Sequence, residues 1–467
     1  MSIPQSLSEL TSLQASLNVA IEVFKAELAK QGLPEPSLCT SQAHPIDDIS
    51  YIPTPAMYEA RRLAMSSMSQ IKYLIESPYD ALASNTWMTL ETASVRLVAD
   101  IGLADILESA PDPEQGLSIE EIGGKTEVDP FKLERIMRLL VAQNWFREPK
   151  PGYFANNRRS NLIKDGQPGR HLATYMNQLW HKISEKLPDF INHPDKAFRF
   201  STDASHTAFN LAMNTDLLYV GTNSWLTNHP GEAERFGLAM GAIGPTSDPG
   251  VVADFPWVAV ASGKDTVVDV GGGQGTLCCS LAEKYPELKS FVVRDVPETR
   301  VAAESFIESK GLSDRIKFEV QDFFTPQQRK GKYVFVIQRV LHDWSTQEGA
   351  KILEHLRDVL NDGSSLLIID TIIHSGVLSP SGRDASESLS QLHDHTYSPV
   401  SPPPFIPIDF GDASRINHQI DVALVAQCNS FERTLPQLQE MVELSGLRIK
   451  KVHATRGWAS ITEVVRV

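Results

Sequence analysis

The segment Val267–Gly275, which reads VVDVGGGQG, constrains the fold of this chain more than any other. A β-branched apolar run carries an acidic residue near its end and is followed by a glycine turn and a helical stretch. Such a turn leaves the first backbone N–H groups of the helix free to donate to a ligand. The GxGxxG pattern of dinucleotide-binding proteins needs a third glycine where this chain has Thr276. The turn therefore favours an uncharged adenosyl group with a sulfonium tail over a dinucleotide.

From about Val251 onward, short apolar β-branched runs alternate with helical stretches. This alternation predicts right-handed βαβ units and a doubly wound, mostly parallel Rossmann-like sheet, so the fold class is α/β. Ligands of such sheets bind at the carboxyl ends of the strands. The predicted strands lie at 266–270, 290–293, 316–320, 333–337, 365–370 and 447–452.

The first part of the chain is predicted to be mainly helical. An amphipathic helix spans Leu7–Gln31, and Ser118 with Glu121 forms a capping box at the start of a later helix. A helix over 129–143 is followed by two short strands around a Pro-Lys-Pro-Gly turn. Helix, helix, wing is the order of elements in a winged helix.

These patterns predict three domains and one insertion. The stretch 375–412 is rich in Ser, Pro, Asp and His and has no periodicity. Its length predicts either a flexible insertion or a lid over the ligand site. The second helix of the winged helix carries both positive and negative side chains. This mixed charge favours a role in dimerisation or as a lid and disfavours DNA binding. The units are an N-terminal helical extension (1–50), a helical and winged-helix dimerisation domain (51–215) and the α/β domain (216–467) with its insertion (375–412).

The charge balance excludes whole classes of partner. With 43 Lys and Arg against 58 Asp and Glu, the net charge is −15, which disfavours a phosphate backbone and so any nucleic acid. The four cysteines show neither a zinc spacing nor a disulfide framework, so we expect no metal site. We also expect no membrane partner and a cytoplasmic location, because no run of about 18 apolar residues and no signal-peptide pattern is present.

Acidic residues follow three successive predicted strands. Asp269 and Asp295 come at the ends of the first two, and a carboxylate in the second position can accept hydrogen bonds from ribose hydroxyls. Asp322 follows the third strand, where it can accept from an adenine amino group while Phe323 packs on the ring. Core packing does not require such a series, so together these side chains define a candidate nucleoside site.

Four motifs in order carry a resemblance to a known family. The chain resembles the plant and fungal small-molecule O-methyltransferases that use S-adenosylmethionine, from about Thr86 to the C-terminus. The resemblance implies a homodimer, with the N-terminal helices as the dimerisation region, and a small-molecule substrate such as a polyketide, aromatic or pyridone secondary metabolite. It does not explain the extension or the insertion. The motifs are DVGGGQG (269–275), RDVP (294–297), QDFF (321–324) and RVLHDW (339–344).

The resemblance also implies roles for individual residues. His342 is the general base that deprotonates a substrate hydroxyl, and Asp370 and Glu432 orient or polarise it. Two further sets follow. The cofactor-binding residues are Asp269, Gly271, Gly273, Gln274, Asp295, Asp322, Phe323, Gln338 and Arg339, and the substrate-contacting residues are His171, Met176, Trp180, Met240 and Trp344.

Two departures from the family pattern leave an alternative open. Gln338 stands where the family usually has Lys or Arg, and Arg294 stands where it commonly has Gln. Arg294 beside the cofactor, with His171 as a counterpart from the helical region, resembles methyltransferase-like fungal pericyclases, which keep S-adenosylmethionine bound but transfer no methyl group. In that case Arg294 is catalytic and polarises a substrate carbonyl. A non-catalytic regulator that binds DNA is disfavoured by the acidic charge.

Overall fold

A seven-stranded sheet forms the centre of the molecule, in a computed structural model that describes residues 8–221, 223–247, 249–328, 331–379, 382–390, 392 and 397–467. The strand order is β6-β5-β4-β7-β8-β10-β9; β4 to β8 are parallel, and β10 is antiparallel to both of its neighbours, β8 and β9. The predicted α/β fold is confirmed, although the last strand was not predicted. The strands are β4 Thr266–Val270, β5 Phe291–Asp295, β6 Ile316–Val320, β7 Tyr333–Gln338, β8 Ser365–Asp370, β9 Leu447–His453 and β10 Ser460–Arg466.

Alternate residues of these strands enter two cores, one on each face of the sheet. Val268 and Phe335 belong to the first core, whereas Val267 and Val336 belong to the second. This alternation follows from the two-residue period of a strand. Because β5 and β7 lie on opposite sides of β4, the order in which strands are added to the sheet reverses at β4. A crevice opens there, at the carboxyl ends of these parallel strands. The helices of this region are α16 Thr276–Lys284, α17 Arg300–Ser309, α18 Thr346–Arg357, α20 Arg415–Cys428 and α21 Leu435–Leu444.

The winged-helix order is present in the N-terminal half. Ser118 accepts from the backbone N–H of Glu121, whose carboxylate accepts in return, so the predicted capping box forms. The wing pairs with the strand before it in the order β1-β3-β2, and the apolar faces of the helices fill one core. The elements are α3 Pro78–Thr86, α4 Met88–Asp100, α5 Leu103–Glu108, β1 Leu117–Ser118, α6 Ile119–Thr126, α7 Pro130–Ala142, β2 Arg147–Lys150 and β3 Tyr153–Ala155.

A third group of helices connects the winged helix to the sheet and has an apolar core of its own. Within the described residues, each helix is too short or too polar to cross a lipid bilayer. The connecting helices are α8 Gly169–His171, α9 Asn177–Ile191, α10 Lys196–Arg199, α11 Ala208–Met213, α12 Trp225–Asn228, α13 Pro230–Ser247, α14 Pro249–Ala253 and α15 Trp257–Ala261.

The extension and the insertion pack against each other. Helices α1 (Glu9–Lys30) and α2 (Pro55–Ile75) share one apolar core with the insertion helix α19 (Ala385–Leu389) and the segment that follows it. Residues 1–7 of the extension and 380–381, 391 and 393–396 of the insertion lie outside the described residues. The rest of the insertion is a packed element in this structure rather than a loose loop.

Candidate active site

The glycine turn after β4 lies against two other strand ends. Gly271 has φ +72°, and a Cβ atom there would lie 2.6 Å from Cγ2 of Val340 and 3.5 Å from the ring of Phe323. A larger residue would therefore be strained and would displace its neighbours. The N–H of Gly273 donates to Oδ2 of Asp295 at 2.8 Å. The turn and the acid of the second strand are thus held together, as their positions at the same sheet edge predict.

Asp269 is the most deeply placed of the candidate cofactor residues. It is 2% exposed, and its Oδ1 has no hydrogen-bond partner among the described residues. Burial, reinforced by the charge of Asp295, raises the pKa of Asp269 to about 7. An unpartnered carboxylate oxygen in the interior is costly, so the site fits a ligand that supplies a hydrogen-bond donor or a positive charge there.

The other candidate cofactor residues surround this crevice. Oδ1 of Asp322 accepts from the N–H of Phe324, which fixes the loop after β6. The Phe323 ring lies 6.0 Å from that of Trp344 in an edge-to-face arrangement. Gln274 reaches α13, because a Cβ atom on Gly237 would lie 2.7 Å from its Nε2. Gln338 ends β7, and Arg339 follows it with φ +51°.

His342 lies on a short 3₁₀ turn, Leu341–Asp343, that follows β7. Its Nδ1 is 2.9 Å from Oε1 of Glu432, and its Nε2 is 3.7 Å from Oδ1 of Asp343. Because an ionised carboxylate only accepts hydrogen bonds, Nδ1–H donates to Glu432 and Nε2 of the neutral ring can accept a proton. The predicted pairing of His342 with Glu432 is therefore present in the geometry.

Several carboxyl groups set the charge state of this imidazole. Burial by itself would lower the pKa of His342, but the negative charges of Asp343 and Glu432 outweigh it and raise the pKa to about 9. Asp370 acts on His342 through its charge, and its Oδ1 has no hydrogen-bond partner in the part of the chain that is described. Burial raises the pKa of Asp370 to about 7. Glu432 thus contacts the ring, whereas Asp370 acts on its pKa through charge.

Arg294 is placed differently from what the pericyclase alternative expects. Arg294 is 2% exposed. Its Nε is 3.2 Å from Oε2 of Glu319, and its Nη1 donates to Oε1 of Gln327 at 2.7 Å. The guanidinium therefore forms internal contacts with these two side chains. His171 lies on α8 in a surface cleft that is also lined by Arg170 and Arg235.

The remaining substrate candidates fall into two places. Met176, Trp180 and Met240 are partly buried in the core of the connecting helices. Trp344 is 8% exposed, belongs to the first sheet core and packs edge-on against Phe324 with ring centroids 4.6 Å apart. Trp344 therefore packs beside Phe323 and Phe324, and contact of all four side chains with a substrate stays a prediction.

Two residues next to His342 and Glu432 were missed by the sequence interpretation. Oδ1 of Asp421 on α20 accepts from the N–H of Glu432 at 2.9 Å. The guanidinium of Arg433 donates to the carbonyl oxygens of Leu341 and Trp344. The available signal was the adjacent pair of opposite charges, Glu432 and Arg433, which follows the aromatic Phe431.

Comparison with known proteins shows which family this chain resembles. Residues 258–392 match the family model of the O-methyltransferase domain. The curated O-methyltransferase tpcA of Aspergillus fumigatus is 26% identical over 497 aligned residues, which cover 99% of this chain and 98% of that protein. The resemblance to O-methyltransferases is thus confirmed over nearly the full length of the chain.

Two solved structures share the fold of this chain. The O-methyltransferase NcsB1 from neocarzinostatin biosynthesis, in complex with S-adenosylmethionine and 2-hydroxy-5-methyl naphthoic acid, is 21% identical with a TM-score of 0.58. The alignment covers 81% of this chain and 96% of NcsB1. A structure described as a pericyclic reaction enzyme is also 21% identical, with a TM-score of 0.67, and covers 87% of this chain and 94% of that one. At these identities the likeness concerns the fold alone.

Proposed function

We propose that this chain transfers a methyl group from S-adenosylmethionine to a hydroxyl group of a secondary metabolite of the polyketide, aromatic or pyridone type. The observation that carries the proposal is the 2.9 Å contact between Nδ1 of His342 and Glu432. It leaves Nε2 as a base for the substrate hydroxyl, which is a weak nucleophile until it is deprotonated. Glu432 then stabilises the imidazolium that forms. When bound, S-adenosylmethionine supplies an electrophilic methyl group on a sulfonium.

The crevice at the glycine turn fits this cofactor. The unpartnered Oδ1 of Asp269 offers an acceptor for a positively charged amino group, and Asp295 supplies a fixed carboxylate for ribose hydroxyls. Gly271 and Gly273 let the backbone approach the ligand closely. The complex of NcsB1 with S-adenosylmethionine supports the same assignment.

Replacing Asp295 with alanine should weaken binding of S-adenosylmethionine by about 10- to 100-fold, because hydrogen bonds to a charged group contribute about 1.5–3 kcal/mol. Isothermal titration calorimetry measures this change. Asp362→Ala, which removes an exposed acid from the loop before β8, is the control and should bind as the wild type does. Unchanged affinity in Asp295→Ala would remove Asp295 from the cofactor site.

The pH dependence of the rate reports on His342. Only the neutral imidazole can accept a proton, and the folded protein raises its pKa from 6.5 to about 9. The value of kcat/KM should therefore rise with pH and level off above about 9. Glu432→Gln removes a charge that raises this pKa, so its acidic limb should lie at lower pH even though its rate is lower. A limb that stays in place or moves to higher pH would contradict the assignment.

Methyl transfer is tested by the release of S-adenosylhomocysteine with candidate phenols and enols, assayed with the purified wild type and with His342→Ala. We expect release that depends on both the substrate and His342. If no substrate gives S-adenosylhomocysteine and the two proteins behave alike, the proposal fails.

A pericyclase or dehydratase that keeps the cofactor without methyl transfer is the second candidate, since a pericyclic reaction enzyme shares the fold. The internal contacts of Arg294 with Glu319 and Gln327 weigh against a direct role of its guanidinium on a substrate carbonyl. This candidate predicts a product of unchanged mass, or lower by one water, and loss of activity in Arg294→Ala. A product heavier by one methylene excludes it.

A second copy of this chain is the partner that we propose for the apolar surface of α3 and its neighbours. Within Tyr73–Leu90 the exposed fractions reach 85% at Tyr79, 63% at Leu82 and 66% at Trp87, and α3 has no buried residue. A patch of this kind marks an interaction surface. Light scattering should give the mass of a dimer, and Leu82→Asp combined with Trp87→Asp should give a monomer. A monomeric wild type would contradict the proposal.

We also propose that the protein resides in the cytosol. All four cysteines are free thiols, and Cys278, Cys279 and Cys428 are buried. Free thiols persist in a reducing compartment. Cell fractionation with an antibody tests this location, and recovery from a secreted or organellar fraction would contradict it.

A further inference from the structure

Arg433 connects the segment that carries Glu432 to the turn that carries His342. It is 4% exposed, and its Nη1 and Nη2 donate to the carbonyl oxygens of Leu341 and Trp344 at 2.7 and 2.6 Å. These carbonyl groups lie on the two sides of His342 in the sequence. A guanidinium has the fork geometry to hold both acceptors at once, which a single ammonium group lacks.

The backbone of Arg433 also ties this segment to the end of β8. Its carbonyl oxygen accepts from the N–H of Ile373 at 3.0 Å, and Ile372 pairs with it in a parallel bridge. Asp370 lies two residues before that bridge. Arg433 therefore connects the turn that carries His342, the segment that carries Glu432 and the end of β8, where Asp370 lies.

Arg433 is also a buried positive charge among carboxyl groups. It opposes the rise in the pKa of Asp370 that burial causes, and Asp370 in turn acts on His342. Without the positive charge of Arg433, the negative charges around His342 would be less fully compensated. The titratable and charged groups that face this cluster are Asp343 on the turn, Asp370 at the end of β8, Asp421 and Cys428 on α20, Arg339 after β7, and Glu432.

We propose that Arg433 is a positioning residue for methyl transfer, because it holds the carbonyl groups on both sides of His342 and so fixes the direction in which Nε2 faces the substrate hydroxyl. This inference rests on the proposed role of His342 as the base. It is distinct from the orienting role of Glu432, which contacts the ring itself.

Arg433→Met and Arg433→Lys separate the contribution of the two hydrogen bonds of Arg433 from that of its charge. Arg433→Met removes the charge and both donors, so we expect kcat to fall about 100-fold, the effect of a misplacement of about 1 Å, with little change in the KM for S-adenosylmethionine. Its acidic limb should move to higher pH, because the imidazolium is no longer repelled by the buried positive charge of Arg433. Arg433→Lys keeps the charge, so its pH profile should return towards that of the wild type while kcat recovers only in part.

Arg315 offers a matched control. Its guanidinium donates to the carbonyl oxygens of Ala282, Tyr285 and Leu288 near the opposite end of the sheet. Arg315→Met and Arg315→Lys should therefore lower stability without moving the pH profile. Circular dichroism establishes that each variant is folded before its rate is compared.

A second readout follows the titration of the His342 ring by NMR, with His342→Gln to identify its signal. If the wild type transfers no methyl group, the proposed function fails and with it the role in methyl transfer, whereas a shift of the His342 titration in Arg433→Met still shows that Arg433 sets the surroundings of that ring. Folded Arg433→Met with a wild-type titration and, where turnover is measurable, a wild-type kcat would overturn it.

Discussion

Replacing His342 with alanine should lower kcat for methyl transfer by about 10²- to 10⁴-fold, the usual contribution of a general base. The Nδ1 of the imidazole is paired with Glu432, and in the proposed mechanism its Nε2 takes the proton of the substrate hydroxyl. Alanine removes the proton acceptor and leaves a buried Glu432 carboxylate without its partner. Binding of S-adenosylmethionine should remain, because the glycine turn and Asp295 are unchanged. Steady-state kinetics and calorimetry measure the two effects.

His453→Ala is the matched control for this variant. The Nε2 of His453 also contacts a carboxylate, Oε1 of Glu463, at 2.6 Å, but it lies on the edge strand β9, which three strands separate from β4 and its glycine turn. We expect its kcat to equal that of the wild type. If His342→Ala retained the wild-type rate, or if His453→Ala lost as much activity, the role of His342 as the base would be wrong.

Glu59→Ala should reduce the free energy of unfolding by about 3–5 kcal/mol, the cost of removing one partner of a buried ion pair. Glu59 on α2 is fully buried; its carboxylate accepts from Nη1 of Arg62 at 2.9 and 3.1 Å and from the hydroxyl of Tyr397 at 2.5 Å. Tyr397 belongs to the insertion, so this cluster joins the insertion to the N-terminal helices. The variant leaves the guanidinium of Arg62, whose side chain is 19% exposed, without a carboxylate. Urea denaturation measures the change, and limited proteolysis should show earlier cleavage within the insertion.

The control for this prediction is an exposed pair on α1. Glu22 lies 3.3 Å from Lys25, and its side chain is 73% exposed. Such surface pairs contribute about 0–1 kcal/mol, so Glu22→Ala should unfold close to the wild type. Equal stability of Glu59→Ala and Glu22→Ala would show that the buried cluster does not hold the insertion in place.

Local patterns were sufficient for the elements that form the crevice. The strand and glycine turn at Val267–Gly275 depend on neighbouring residues, and the contact between Gly273 and Asp295 follows because both lie at the same edge of a parallel sheet. His342 and Glu432 are 90 residues apart, so their contact was predicted through the family resemblance and not through spacing.

Other features depend on tertiary contacts that no local pattern reports. The burial of Arg294 results from its position on β5 beside Glu319 on β6, because paired strands bring those side chains together. Glu59 and Tyr397 are 338 residues apart, and neither segment signals the other in the sequence. The sequence interpretation therefore left the extension and the insertion unexplained, although the two pack against each other.

The most direct test of the central claim is mass spectrometry of products formed with S-adenosylmethionine that carries a deuterated methyl group. Candidate substrates are phenolic or enolic intermediates from secondary metabolism. We predict a product that has gained the labelled methyl group on oxygen, with an equal amount of S-adenosylhomocysteine. A product without the label, of unchanged mass or lower by one water and formed without S-adenosylhomocysteine, would contradict methyl transfer by this chain.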